Sequence, residues 1–136
     1  MVLNSSLENN LERSFVIDNN TTEKNVVVYE VNLSIKKEIY EKNKEWLIDH
    51  IKDMVNINKF MRVNIYHQLN LDPTDDSFVK VHRLTARYYI SSYDHLKSYL
   101  EQRAKNMRNQ VREKFGDDYT VFRRVFTLEQ EILGNA

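Results

Sequence analysis

Arginine, asparagine and tyrosine alternate with apolar residues along two stretches of the chain, residues 60–69 and 78–91. Because side chains point alternately to the two faces of a β-strand, these polar groups would share one face of a sheet. Guanidinium groups beside phenols and amides can hold a carboxylate, a phosphate or an oxygenated aromatic ligand. The predicted ligand or interface residues are Arg62, Asn64, Tyr66, Arg83, Arg87, Tyr89, Arg123 and Arg124.

Glu30 and Asn32 would extend this set from an earlier strand, and one of the adjacent Arg123 and Arg124 from a later one. The polar groups have a second interpretation, in which they satisfy one another inside an interface between two copies of the chain. We favour that interpretation over a ligand site.

A second candidate site lies between the predicted sheet and its helices. Its contributors would be Tyr29, Trp46, His50, Tyr88 and Tyr99. The simpler interpretation is that these aromatic rings are ordinary core residues, and we favour it.

Metal and nucleotide chemistry have little support in the sequence. His67 and His82 could be neighbours across a hairpin, but two histidines beside a flexible acidic loop make a poor zinc site, because catalytic zinc usually has three fixed protein ligands. The chain contains no G-x-S-x-G, phosphate-loop or H-E-x-x-H motif. We therefore predict no metal and no cofactor.

One predicted helix is locally basic, which raises nucleic-acid binding as a third hypothesis. The aromatic, glycine-containing motif of RNA-binding sheets is missing, and the basic residues lie on a helix, so a solvated helix face is the preferred interpretation. The basic residues are Lys97, Arg103, Lys105, Arg108, Arg112 and Lys114, against Glu101 and Glu113.

The secondary-structure pattern predicts the order β-α-β-β-α-β. The elements are a strand over 26–33, a helix over 36–55 capped by Ser34, hairpin strands over 60–69 and 78–91, a helix from the Ser91–Asp94 capping box to Phe115, and a strand over 119–128. The apolar stripe of the second helix would be Tyr93, Leu96, Leu100, Ala104, Met107, Val111 and Phe115, with Gly116 as its stop. This order predicts a ferredoxin-like α+β fold, with two helices on one face of a four-stranded antiparallel sheet.

Composition limits the remaining choices. The 136 residues suit one domain, predicted at 25–128, with a polar extension at 1–24 and a tail at 129–136. Lys plus Arg equals Asp plus Glu at 20 each, so no net charge attracts nucleic acid or a membrane. The chain has no cysteine and no apolar run long enough for a signal sequence or a membrane span, so we expect a cytoplasmic protein.

Several segments resemble the bacterial domain of unknown function 4286 family, which is placed among dimeric α/β-barrel proteins. They are VVVYEVNL, Trp46 in the first helix, RYYISSYDHLKSYLEQRAKNMRNQVREKFG and FRRV, within residues 26–126. The resemblance implies a homodimer whose two sheets pack face to face, and it implies no activity. The extension before Val26 and the loop 70–77 depart from the usual short members.

The leading hypothesis is therefore a homodimeric ferredoxin-like binding or interaction module that pairs through the helix-free face of its sheet. The alternative is a small cofactor-independent enzyme, of the monooxygenase or isomerase type, with a pocket lined by Tyr and Arg. Nucleic-acid binding through the second helix is the third hypothesis, and a small ligand is compatible with the first two.

Overall fold

A computed structural model of the chain describes residues 25–135, and the predicted extension at 1–24 lies outside them. The elements are β1 (Val27–Lys36), α1 (Lys37–Asn58), β2 (Arg62–His67), α2 (Ser77–Lys80), β3 (Val81–Ile90), α3 (Tyr93–Gln102), α4 (Ala104–Phe115) and β4 (Tyr119–Thr127). Residues 28–125 form one compact unit, and every contact described below lies within it. Beyond Thr127, residues 128–135 form no helix or strand.

The four strands form one antiparallel sheet in the order β2-β3-β1-β4. Strands β2 and β3 pair with Arg62 opposite Tyr89, Asn64 opposite Arg87 and Tyr66 opposite Thr85. The alternation predicted for the hairpin is therefore present, because the first two pairs each unite two residues of the predicted polar set. Two split β-α-β units with this strand order are the ferredoxin-like arrangement, so the predicted fold class is confirmed.

The helices cover one face of this sheet, and the core lies between them. Three aromatic side chains are central to it: the Tyr29 ring lies 6.1 Å from that of Tyr88 and 5.9 Å from that of Tyr99, centroid to centroid. Phe60 packs edge-on against Tyr99 at 5.4 Å. Aliphatic residues from sheet and helices complete the packing: Leu33, Leu47, Ile51, Met54, Ala86, Leu96 and Met107 are all buried.

The second predicted helix is divided, which corrects the prediction of one continuous helix. Arg103, between α3 and α4, has φ −128° and ψ −21°, outside the helical range. The break changes which residues face the sheet: Tyr99 is 4% exposed and Leu100 is 38% exposed. Because Tyr99 packs on Tyr29 and Phe60, α3 is rotated so that Tyr99 replaces Leu100 in the apolar stripe. Tyr93, predicted for the same stripe, is also exposed.

Helix starts differ from the prediction by one or two residues. The cap of α3 is Ser92, whose hydroxyl accepts a hydrogen bond from the His95 backbone N–H at 3.1 Å, so Ser91 is not the cap. Ser34 is still in β1, and α1 begins after Lys36 with no side-chain cap. Residues 78–80, predicted as part of the strand, belong to the short helix α2 (Ser77–Lys80). At the end of α4, Gly116 has φ +57°, which glycine adopts without a Cβ clash.

Replacing Ser92 with alanine should lower the free energy of unfolding by about 1 kcal/mol, because one backbone N–H of α3 loses its acceptor. For a chain of this size that corresponds to a fall of roughly 3 °C in the midpoint of thermal unfolding, measurable by circular dichroism. Ser91→Ala is the matched control and should change the midpoint by less than about 1 °C. Equal effects of the two substitutions would contradict the assignment of Ser92 as the cap.

Candidate functional site

The sheet face opposite the helices, here called the helix-free face, carries a polar and aromatic surface. Alternation along each strand brings its side chains together from all four strands. Its members are Glu30 and Asn32 from β1, Arg62, Asn64 and Tyr66 from β2, Thr85, Arg87 and Tyr89 from β3, and Phe122 and Arg124 from β4.

Glu30 is the centre of the helix-free face. Its side chain is 1% exposed, and both of its oxygens are held by arginines. Arg87 Nε donates to Glu30 Oε1 at 3.0 Å, and Arg124 donates to Oε2 through Nε at 2.7 Å and through a terminal nitrogen at 2.7 Å. Both nitrogens of Arg124 converge on Oε2 while Arg87 holds Oε1, so each oxygen of Glu30 accepts at least one charge-assisted hydrogen bond, the stronger kind.

The network continues from Glu30 into strand β3. Asn32 Nδ2 donates to Glu30 Oε2 at 2.9 Å, and the Thr85 hydroxyl donates to Asn32 Oδ1 at 2.7 Å. Both Asn32 and Thr85 are buried. These bonds satisfy polar groups that would otherwise be costly to remove from water, so the buried carboxylate of Glu30 has its partners within one copy of the chain.

Two opposing influences act on the pKa of the Glu30 carboxyl. Burial is the largest single one and acts to raise the pKa. Hydrogen bonds from Asn32, Arg124 and Arg87, with the positive charge of Arg124, together outweigh burial and hold the pKa below its ordinary value of 4.5. Glu30 is therefore ionised at neutral pH.

Aromatic rings surround this centre. The guanidinium carbon of Arg62 lies 3.8 Å from the centroid of the Tyr89 ring, and that of Arg87 lies 5.4 Å from the centroid of Tyr66. Phe122 lies beside Arg124 at 5.8 Å. Tyr66 is 45% exposed and Phe122 is 57% exposed, so both rings present apolar area to solvent.

Two of the predicted site residues take no part in the bonds around Glu30. Arg83 donates to the Ser77 hydroxyl at 3.0 Å and stacks over Phe78 at 4.5 Å, so it ties β3 to α2 and has no contact with Glu30. Arg123 lies on the opposite side of β4, where it lines a cavity beneath the helices. The structure thus decides between the two adjacent arginines, because Arg124 and not Arg123 reaches Glu30.

That cavity, here called the helix-side cavity, has a volume of about 50 Å³. Its polar lining residues are Tyr29, His50, Tyr88, Tyr99, Arg108, Tyr119 and Arg123, and its apolar ones are Val31, Leu33, Leu47, Ile51, Met54, Ala86, Met107, Val111 and Val121. Four of the five residues predicted for a pocket between sheet and helices are among them. The fifth, Trp46, stacks on the His50 ring at 5.2 Å.

Burial dominates the titration of the groups around the helix-side cavity. It raises the pKa of the Tyr88 and Tyr99 phenols well above the ordinary value, so both stay protonated at neutral pH. Burial lowers the pKa of His50 below 6.5, although a hydrogen bond with Gln110 and the charge of Asp53 oppose that shift. Arg108 donates to the Tyr29 hydroxyl at 3.1 Å. Its side chain therefore contacts the sheet, whereas the sequence predicted it on a solvated helix face.

The structure places the two hairpin histidines and gives the lengths and polarity of the helices. The His67 and His82 rings are neighbours across the hairpin, with centroids 6.4 Å apart. Across residues 25–135, no three His, Asp or Glu side chains are grouped closely enough to hold a metal ion. Within the same range, no helix is both long enough and apolar enough to cross a membrane.

The strand order and the one-sided helix layer define a protein of the ferredoxin-like class. The chain belongs to the family described as a domain of unknown function, DUF4286, whose sequence model matches residues 26–129. The family resemblance predicted from the sequence is therefore confirmed. Among curated protein sequences, none matches the chain significantly.

Solved structures share the fold at low sequence identity. A dimeric ferredoxin-like protein from an uncultured marine organism is 7% identical, with 79% of this chain and 99% of that one aligned at a TM-score of 0.60. Hydroxynitrile lyase from Passiflora edulis is 11% identical, with 81% and 99% aligned at 0.58. A dimeric ferredoxin-like protein of unknown function from Thermobifida fusca is 12% identical, with 83% and 100% aligned at 0.52. At these identities the likeness concerns the fold alone.

Thr85, Phe122 and Arg108 are among the residues of these two sites that were not predicted from the sequence. Thr85 and Phe122 alternate in register with Arg87 and Arg124, so strict use of the strand period would have included them. Arg108 adjoins Met107 of the apolar stripe, but no local signal marks its bond to Tyr29, which is 79 residues away.

Proposed function

We propose that the protein is a homodimeric interaction module in which two copies pack the helix-free face of one sheet against that of the other. One observation carries this proposal: the same face exposes the aromatic rings of Tyr66 and Phe122 and holds a buried carboxylate, Glu30, that already has its hydrogen-bond partners. Exposed aromatic area favours association. Because the Glu30 carboxylate is already paired with arginines, a second copy can cover it without leaving an unpaired buried charge.

The arginines of the helix-free face suit such an interface. The side chains of Arg87 and Arg124 are still 43% and 55% exposed while they hold Glu30. Guanidinium planes stack on aromatic rings, so arginines of one copy can lie on Tyr66 or Phe122 of the other across a twofold axis. A twofold contact repeats each such pair, because the same patch meets itself.

The two dimeric ferredoxin-like proteins that share this fold support the proposal as precedents for pairing. The polar groups of the helix-free face are bonded mainly to one another, which supports an interface over a ligand site. On this proposal Arg62, Asn64, Tyr89 and Arg124 are interface residues and not catalytic ones.

Sedimentation velocity of the full chain at micromolar concentrations should give twice the mass of one chain. The reason is that apolar area on both copies leaves water when the two faces meet. The mass of a single chain throughout that concentration range would contradict the proposal.

A further inference from the structure

Two buried polar atoms at the helix-side cavity have no hydrogen-bond partner among the described residues. They are Nδ1 of His50 and Nε of Arg108. Buried polar groups in folded proteins are almost always paired, so each exception indicates a role or a missing partner. His50 as a whole is buried, and both residues line the same cavity.

The charge around the cavity is unbalanced. Arg108 and Arg123 both line it, and none of the described residues in its wall is acidic. Neither guanidinium forms an ion pair with any residue in the part of the chain that the structure describes. His50 is neutral at pH 7, because burial lowers its pKa, so it adds a hydrogen-bonding nitrogen without adding charge.

The size of the cavity limits what can enter. A cavity needs roughly 10–15 Å³ on this measure for each water-sized group, so about 50 Å³ holds on the order of three to five non-hydrogen atoms. Most of the wall is aliphatic, through residues such as Leu47, Ile51 and Met107. A small molecule with one anionic end and a short apolar body therefore fits both the volume and the lining.

We infer that the helix-side cavity is a binding site for a small monocarboxylate. The carboxylate accepts from the guanidinium of Arg108, with Arg123 supplying further positive charge, and the short chain lies against the aliphatic wall. The site lies on the opposite side of the sheet from the helix-free face, so the inference does not depend on dimer formation.

Methionine methyl groups offer a direct probe, because Met54 and Met107 line the cavity whereas Met61 is exposed and outside its lining. Protein labelled with carbon-13 at the methionine methyls would be titrated with sodium propionate, with sodium chloride at equal ionic strength as the reference. The Met54 and Met107 resonances should shift and saturate at about millimolar propionate, while Met61 should not shift. Propionamide, which has the same shape without the charge, should bind at least about tenfold more weakly.

Arg108→Gln should weaken propionate binding by at least about tenfold, because the charge-assisted hydrogen bond is lost. Arg112→Gln is the matched control: it lies one turn further along α4, is exposed and bonds only to Asn109, and should bind propionate as the wild type does. If Arg108→Gln does not fold, the comparison of propionate with propionamide on the wild-type protein decides by itself.

Three results would overturn the inference: no saturable shift of Met54 and Met107, equal binding of propionamide, or undiminished binding to folded Arg108→Gln. Tighter binding of inorganic phosphate than of propionate would also overturn the monocarboxylate assignment. Sedimentation of the same samples separates this inference from the proposed function, because propionate binding to a monomer would support the cavity site and contradict the dimer.

Discussion

Replacing both Arg87 and Arg124 with alanine should destabilise the protein strongly at neutral pH and much less in acid. At about pH 7 we expect the free energy of unfolding to fall by roughly 2–4 kcal/mol, somewhat below the 3–5 kcal/mol typical of breaking a fully buried pair, because both arginines are partly exposed. The cause is that Glu30 would remain buried and ionised without its two cationic partners.

The direction of the pH dependence follows from the pKa of Glu30. In the wild type the folded pKa lies below the ordinary 4.5, so the contribution of Glu30 to stability is present above pH 4.5 and is lost as the pH falls through the folded pKa. Without the arginines, burial becomes the dominant influence and raises the folded pKa above 4.5. The contribution of Glu30 would then be present below pH 4.5 and be lost as the pH rises through the new folded pKa.

Urea unfolding of both proteins from about pH 3 to about pH 7 measures this difference, which should grow as the pH rises. Adding Glu30→Gln to the double variant should flatten that pH dependence, because the titrating group is gone. Arg62→Ala is the matched control on the same face, since Arg62 stacks on Tyr89 and has no bond to Glu30. A destabilisation that is independent of pH would show that the arginines act by packing and not through the charge of Glu30.

Substituting both Tyr66 and Phe122 with glutamine should raise the dissociation constant of the dimer by at least about a hundredfold. Central aromatic residues of an interface typically cost at least about 2 kcal/mol each when removed, and every substitution occurs in both copies. The fold should persist, because both rings are substantially exposed within one chain. Sedimentation equilibrium across a range of concentrations measures the constant.

The matched control for this pair is Tyr93→Gln with Leu71→Gln, which removes two exposed apolar side chains outside the helix-free face. The control should dimerise as the wild type does and should unfold at a similar temperature. Comparable loss of dimer in both double variants would place the contact elsewhere on the surface, and the proposed face-to-face packing would then be wrong.

The sequence alone determined the ferredoxin-like class and most of the helix-free face. Both depend on local rules that involve only near neighbours in the chain: the two-residue period of strands and the three- to four-residue period of helices. Those rules placed Arg62, Asn64, Tyr66, Arg87 and Tyr89 on one face, and the register of β2 and β3 agrees.

Only the tertiary structure decided the choices between adjacent residues. Arg124 rather than Arg123 meets Glu30 across 94 residues of sequence, and Tyr99 rather than Leu100 enters the core because it packs on Tyr29 and Phe60. Neighbours in sequence have nearly the same local propensity, so the free energy that separates them comes from partners that are distant along the chain. For the same reason the sequence did not reveal the bond of Arg108 to Tyr29 at the helix-side cavity, because it forms only once β1 and α4 are packed together.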